Sequence, residues 1–70
     1  MKALVTINGE ERELAPGATI ATALRDLGVA GDGRGVAVAL DGEVVPRGRW
    51  ASTGIPDGAR VEVVVAVQGG

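Results

Sequence analysis

Few residues in this chain can be activated for chemistry. It has no histidine and no cysteine, which removes the commonest general base, the commonest metal ligand, and every thiolate or disulfide. Ser52, Thr53 and Thr19 therefore have no imidazole to activate them, and a hydrolytic triad is excluded. Glu10, Glu11 and Glu13 crowd one short segment. Paired acids can do acid–base work in a cleft, but a 70-residue chain seldom supplies one. These acids read as a solvated face, with a surface for a basic partner as the alternative. Arg47 and Arg49 flank Gly48 ahead of Trp50, an arrangement that can hold a phosphate or carboxylate and can equally stack at a sheet edge. Trp50 is the only aromatic residue and reads as packing. "GDGRG" (31–35) lacks the G-x-x-x-x-G-K-[ST] spacing and precedes no helical pattern, so it reads as a plain loop.

What remains is the end of "VEVVVAVQGG". An α-carboxylate, with its pKa of about 3.5, is ionised in the cell and is a poor electrophile. A nucleotide phosphate converts it into a good one, an acyl-adenylate. Glycine suits that chemistry, because without a Cβ it passes a narrow channel and takes any backbone conformation. Glu62 is the last charged residue, so "VVVAVQGG" can enter a partner's site without carrying a charge into it. Gln68, Gly69 and Gly70 are expected to form a flexible tail, since their side chains offer no anchor. At background usage two terminal glycines arise by chance roughly once in 200. The 12 glycines of this chain raise that rate, and a structural domain with a dispensable tail is the plain alternative.

The elements that must present this tail follow from hydrophobic pattern and turn signals. "ALVTI" (3–7) alternates, with Ala3, Val5 and Ile7 on one face and Leu4 and Thr6 on the other. Asn8-Gly9 predicts a tight hairpin into "EERELA", with Leu14 inward and Glu11 and Glu13 outward, ended by Pro16-Gly17. Thr19 caps a predicted helix over 20–27, where Ile20, Ala23, Leu24 and Leu27 share a face and Gly28 ends it. Thr22 stands where a capping box has Glu or Gln, so no reciprocal bond is expected there. "VAVAL" (36–40) predicts a third strand and Asp41-Gly42 a second hairpin. "EVV" starts a short fourth strand that Pro46 confines to an edge. "RGRWASTGI" reads as irregular. "RVEVVVAV" (60–67) predicts the longest strand, apolar on both faces at its end and therefore central. The order β-β-α-β-β-β with one helix defines an α+β domain. The predicted core is Val5, Ile7, Leu14, Ile20, Leu24, Leu27, Val38, Leu40, Val61 and Val63. Leu4, Ala37, Ala39, Val64 and Ala66 point to the opposite face, whose contiguous apolar surface is the candidate partner-binding surface.

Bulk properties narrow the class. The net charge is −2, without the basic footprint of nucleic-acid domains. The N-terminal apolar stretch is broken by Asn8-Gly9 and is too short for a signal peptide. No run reaches the roughly 20 apolar residues of a membrane span. The expectation is a single domain over 1–70, cytoplasmic, monomeric when free, binding no metal, cofactor, nucleic acid or membrane, and without catalytic side chains of its own.

The segments "INGEERELAPGATIATALRDLG", "VAVALDGEVVPRGRW" and "PDGARVEVVVAVQGG", in this order and at this length, resemble the ThiS family of thiamine-pathway sulfur carriers. Asp41 departs from the Asn frequent there, and Ala59 from a frequent Asp. The resemblance implies a β-grasp (ubiquitin-like) fold, a mixed sheet on one helix with strand 60–67 parallel to strand 3–7. It implies that a ubiquitin-activating-like adenylyltransferase uses ATP to adenylate the Gly70 carboxylate. A persulfide sulfur donor then displaces AMP, and the Gly70 thiocarboxylate passes its sulfur to thiazole synthase. Two other readings stay open: the small subunit of molybdopterin synthase, which is usually longer and lacks "VPR-x-x-W", and a ubiquitin-like modifier joined to lysines. Lys2 is the sole lysine here, which disfavours chains of modifiers.

Overall fold

Two-residue turns with positive φ at both positions match the right-handed twist of paired strands. The computed structural model describes residues 2–29 and 35–66, and both predicted turns take this form. Asn8 and Gly9 have φ of 53° and 83°, and Asp41 and Gly42 have 49° and 87°. The first joins β1 (Ala3–Ile7) to β2 (Glu10–Leu14), and the second joins β3 (Val36–Leu40) to β4 (Glu43–Val44). With β5 (Arg60–Val65) these strands form one sheet in the order β2-β1-β5-β3-β4. β5 is central, parallel to β1 and antiparallel to β3. β4 lies at an edge, where the proline after it costs no ladder bond. This mixed sheet on one helix is the α+β, β-grasp arrangement expected from the sequence.

The helix α1 (Ile20–Asp26) is shorter than the predicted 20–27, because Leu27 is its C-cap. Its start corrects the expectation at position 22. Thr19 Oγ1 accepts from the Thr22 N–H at 3.2 Å, and Thr22 Oγ1 accepts from the Thr19 N–H at 2.8 Å. A threonine thus closes the capping box that usually needs Glu or Gln. At the other end Gly28 takes φ of 79°. Its N–H donates to Arg25 O and that of Val29 to Leu24 O, both at 3.0 Å, the paired bonds of a Schellman stop.

The helix rests on the sheet face that carries Val5, Ile7, Leu14, Val38 and Val61, and adds Ile20, Ala23 and Leu24 to the same buried cluster. Leu27, Leu40 and Val63 are only half-buried, at the margin of this cluster. Seven helical residues span only about 10 Å, too little to cover a whole sheet face. Trp50, Ile55 and Ala59 complete the core. The segment expected to be irregular contains a 3₁₀ helix (Arg47–Ser52) that turns Trp50 inward. Its indole N–H donates to Val45 O at 2.9 Å, so the ring is buried without an orphaned donor. The Ile20 N–H donates to Thr53 O and the Ile55 N–H to Ala18 O, each at 3.0 Å, tying this segment to the start of α1.

β5 runs to Val65; of the predicted 60–67, Ala66 lies beyond the strand and Val67 outside the described residues. Three turn residues secure it and its neighbour. Asp41 Oδ1 accepts from the Arg60 N–H at 2.8 Å, a role that an amide oxygen fills equally. Asp57 Oδ1 accepts from the Leu4 N–H at 2.7 Å. Asn8 bonds both main-chain groups of Val63: its Nδ2 donates to Val63 O at 3.0 Å, and its Oδ1 accepts from the Val63 N–H at 2.8 Å.

Candidate functional site

The hydroxyl side chains are held in structural bonds. Thr19 caps α1. Ser52 and Thr53 hydroxyls both donate to Arg49 O, at 3.2 and 2.6 Å, closing the 3₁₀ helix. Glu10 pairs with Arg12 at 3.3 Å, with both side chains largely in solvent, where such a pair contributes little. Glu11 and Glu13 lie exposed on β2. Trp50 is buried, whereas Arg47 and Arg49 are exposed. Arg49 lines an open groove of about 390 Å³ with Leu40, Glu43, Val44, Val45, Pro46 and Thr53. That groove holds one carboxylate, Glu43, whereas Glu11, Glu13 and Asp26 line a second groove of about 330 Å³ together with Arg12 and Leu27. Among the described residues no cluster of His, Cys, Asp or Glu is placed to hold a metal ion. None of their helices is long and apolar enough to cross a membrane. Residues 31–34 of "GDGRG" lie outside the described residues.

The face of the sheet opposite α1 is built by strict alternation. The register pairs Ala37 with Val64, Ala39 with Glu62, and Ala39 with Val44, which places all five on this face. Val64 is 65% exposed and Val44 76%. Ala37 and Ala66 are exposed, and Ala39 is half-buried. Small alanines beside valines leave an apolar shelf over β4, β3 and the end of β5, bordered by the Glu62 carboxylate.

Leu4 does not belong to that shelf, which corrects the expectation of one contiguous surface. It is 47% exposed on β1. Thr6 pairs with Arg60, so Leu4 lies six positions behind Val64 along the sheet. At about 3.3 Å per residue that is roughly 20 Å. Thr6, Arg60 and Glu62 occupy the face in between. The register instead adds Val44, which the sequence reading missed. The signal was present: a two-residue Asp-Gly loop pairs Leu40 with Glu43 and hence Ala39 with Val44. Val65, 55% exposed, was missed for another reason. It points to the helix side, paired with Val36, and only the shortness of α1 leaves it uncovered.

The tail residues Gln68, Gly69 and Gly70, with the candidate reactive carboxylate, lie outside the described residues. The structure fixes their root. β5 leads out of the sheet centre at Val64 to Ala66, beside the apolar shelf, and the Ala66 N–H donates to Gly35 O at 2.6 Å.

Comparison with known proteins narrows the family. The model of the ThiS family matches residues 5–70. The crystal structure of the thiamine biosynthesis protein ThiS from Geobacter metallireducens superposes with a TM-score of 0.78 and 32% identity, covering 96% of this chain and 99% of that one. The solution structure of a thiamine biosynthesis protein from the same organism gives 0.79 at 32% identity, covering 96% and 87%. The thiazole synthase of Paramagnetospirillum magneticum is 39% identical over 66 residues, which is 94% of this chain and 20% of that protein. The chain thus spans about a fifth of the length of the curated relative it matches.

Proposed function

The chain belongs to the ThiS family, and from that premise we propose that it is the sulfur carrier of thiazole formation in thiamine biosynthesis, with the Gly70 carboxylate as its reactive group. The family match through residue 70 carries this reading. The similarity to part of a thiazole synthase supports such an enzyme as the acceptor, and the thiamine-pathway family favours it over a molybdopterin acceptor. A ubiquitin-activating-like adenylyltransferase binds the apolar shelf around Val64 and takes the tail. The Gly70 carboxylate attacks the α-phosphate of ATP and releases pyrophosphate. A persulfide then attacks the acyl-adenylate and expels AMP. A thiol cleaves the resulting S–S bond, leaving a Gly70 thiocarboxylate and a disulfide on the donor side. The carrier contributes no catalytic side chain, and ATP is bound by the activating partner. This chemistry is that of the cytoplasm, where ATP and persulfide donors meet.

The test is thiol-selective alkylation after incubation with ATP, the activating enzyme and a persulfide donor. Exchanging oxygen for sulfur gives nominally the same mass gain as oxidation of Met1 or Trp50, so mass alone does not decide. With no cysteine in the chain, the reagent should label only the C-terminal fragment containing Gly69 and Gly70, and only when ATP is present. A label that persists without ATP, or a mass gain confined to the Met1 or Trp50 fragments, refutes the reading.

A further inference from the structure

We propose that Asn8 is a positioning residue for sulfur loading: its carboxamide latches Val63 and so fixes the last point at which β5 is held on both edges ahead of the reactive tail. This rests on the sulfur-carrier reading and adds to it a residue remote from the tail in sequence.

The parallel β1·β5 ladder runs through alternate residues of β5. The Thr6 N–H donates to Ala59 O at 3.0 Å, and the Asn8 N–H to Val61 O at 2.9 Å. The next step would need a further β1 residue, but the chain has turned away at Asn8, with φ of 53°. The Asn8 side chain replaces the missing peptide group. Its amide donates to Val63 O at 3.0 Å and accepts from the Val63 N–H at 2.8 Å, satisfying both main-chain groups at once. An asparagine side chain has the same donor and acceptor as a peptide unit, so it extends the ladder by one residue.

Val63 is thereby the last described residue of β5 held on both edges. Val64 and Val65 pair with β3 alone, through Ala37 and Val36, and Ala66 is held at Gly35. Val63 stands seven positions before Gly70, so the carboxylate lies at most about 25 Å from this anchor. Without the latch the two-edged anchor retreats to Val61. The segment that a partner must order on docking then lengthens by two residues, and the exit direction of the tail is set by one edge only. Glu62 and Val63 stay paired with Ala39 and Val38 of β3, so only part of their order is lost and the expected weakening of binding is roughly tenfold.

Two substitutions separate latch from turn. Asn8→Gly keeps a residue that favours positive φ and removes both bonds. Asn8→Asp keeps the acceptor for the Val63 N–H, loses the donor, and sets an oxygen against Val63 O. Both are assayed with the activating enzyme, ATP and a persulfide donor, at a temperature where circular dichroism shows both variants folded. For Asn8→Gly the expected result is faster amide exchange at Val63, with KM for the carrier raised about tenfold. The kcat at saturation should stay within about twofold, because the Gly70 chemistry is untouched. Asn8→Asp should fall between this variant and the unchanged protein. Faster exchange with an unchanged KM would show a purely structural bond and overturn the proposal. A raised KM without faster exchange at Val63 would overturn it as well. If the unchanged protein acquires no thiocarboxylate, the carrier reading itself fails and the proposal falls with it.

Discussion

Val64→Asp separates the fold from the interaction face. Val64 is 65% exposed, so the substitution opens no cavity and forfeits little buried area. The change of strand propensity costs up to about 1 kcal/mol. The new carboxylate stands on the same face as Glu62, two residues away, and at about 7 Å in water that repulsion costs roughly 0.6 kcal/mol. The total of about 1–2 kcal/mol is smaller than the roughly 4–10 kcal/mol expected for a domain of this size. At an interface the balance inverts, because an unpaired carboxylate buried against an apolar partner costs about 3 kcal/mol or more. That is a factor of about a hundred or more in Kd. Urea unfolding followed by circular dichroism measures the first quantity, and calorimetric titration with the activating enzyme measures the second. Leu4→Gln is the matched control. It alters the same sheet face about 20 Å away, and its Kd should change less than about twofold. Equal loss in both variants would refute the separation of the two patches, and an unfolded Val64→Asp would refute the placement of Val64 in solvent.

Two further outcomes follow from the tail and the core. Deleting Gly70, or adding one residue after it, should abolish sulfur loading in the alkylation assay while the thermal midpoint stays unchanged, since the core lies within the described residues. Trp50→Phe should cost about 2–3 kcal/mol in urea unfolding, from the lost bond to Val45 O and the smaller ring. A cost under about 1 kcal/mol would mean that the indole is not the keystone of its end of the core.

Where local pattern and tertiary structure agree, the fold was legible. Alternation placed Val5, Ile7, Val38 and Val61 in the core, and the Asn-Gly and Asp-Gly turns set both hairpins. Ile55 and Ala59 were not legible as core, because they sit in a segment with no period and are tied to parts of the chain distant in sequence: Ile55 to Ala18 before α1, Ala59 to Thr6 of β1. Thr22 was misread because sequence patterns for the capping box rest on glutamate, whereas a hydroxyl on the right rotamer reaches the same N–H. On the site, alternation assigned Val64, Ala37 and Ala39 to the outer face. It could not show that Leu4 lies at the other end, because that depends on the parallel register between β1 and β5.

The two hairpin turns have a second role that links them to the central strand. Asn8 and Asp41 each adopt positive φ to close a turn, and each spends its side chain on β5, 55 and 19 residues away. They grip opposite edges, Asn8 at Val63 beside β1 and Asp41 at Arg60 beside β3. The strand carrying the tail is therefore held at its first and fourth residues by residues that a turn needs in any case. Glycine in either place keeps the turn and removes the grip, which isolates the second role. Asn8→Gly loses two hydrogen bonds and should cost about 2 kcal/mol, and Asp41→Gly loses one and should cost about 1 kcal/mol. The two grips share no partner and are three residues apart along β5, about 10 Å. The double variant should therefore lose the sum of the two within about 0.5 kcal/mol in urea unfolding. A double variant no less stable than Asn8→Gly alone would show that the two turns do not hold β5 independently.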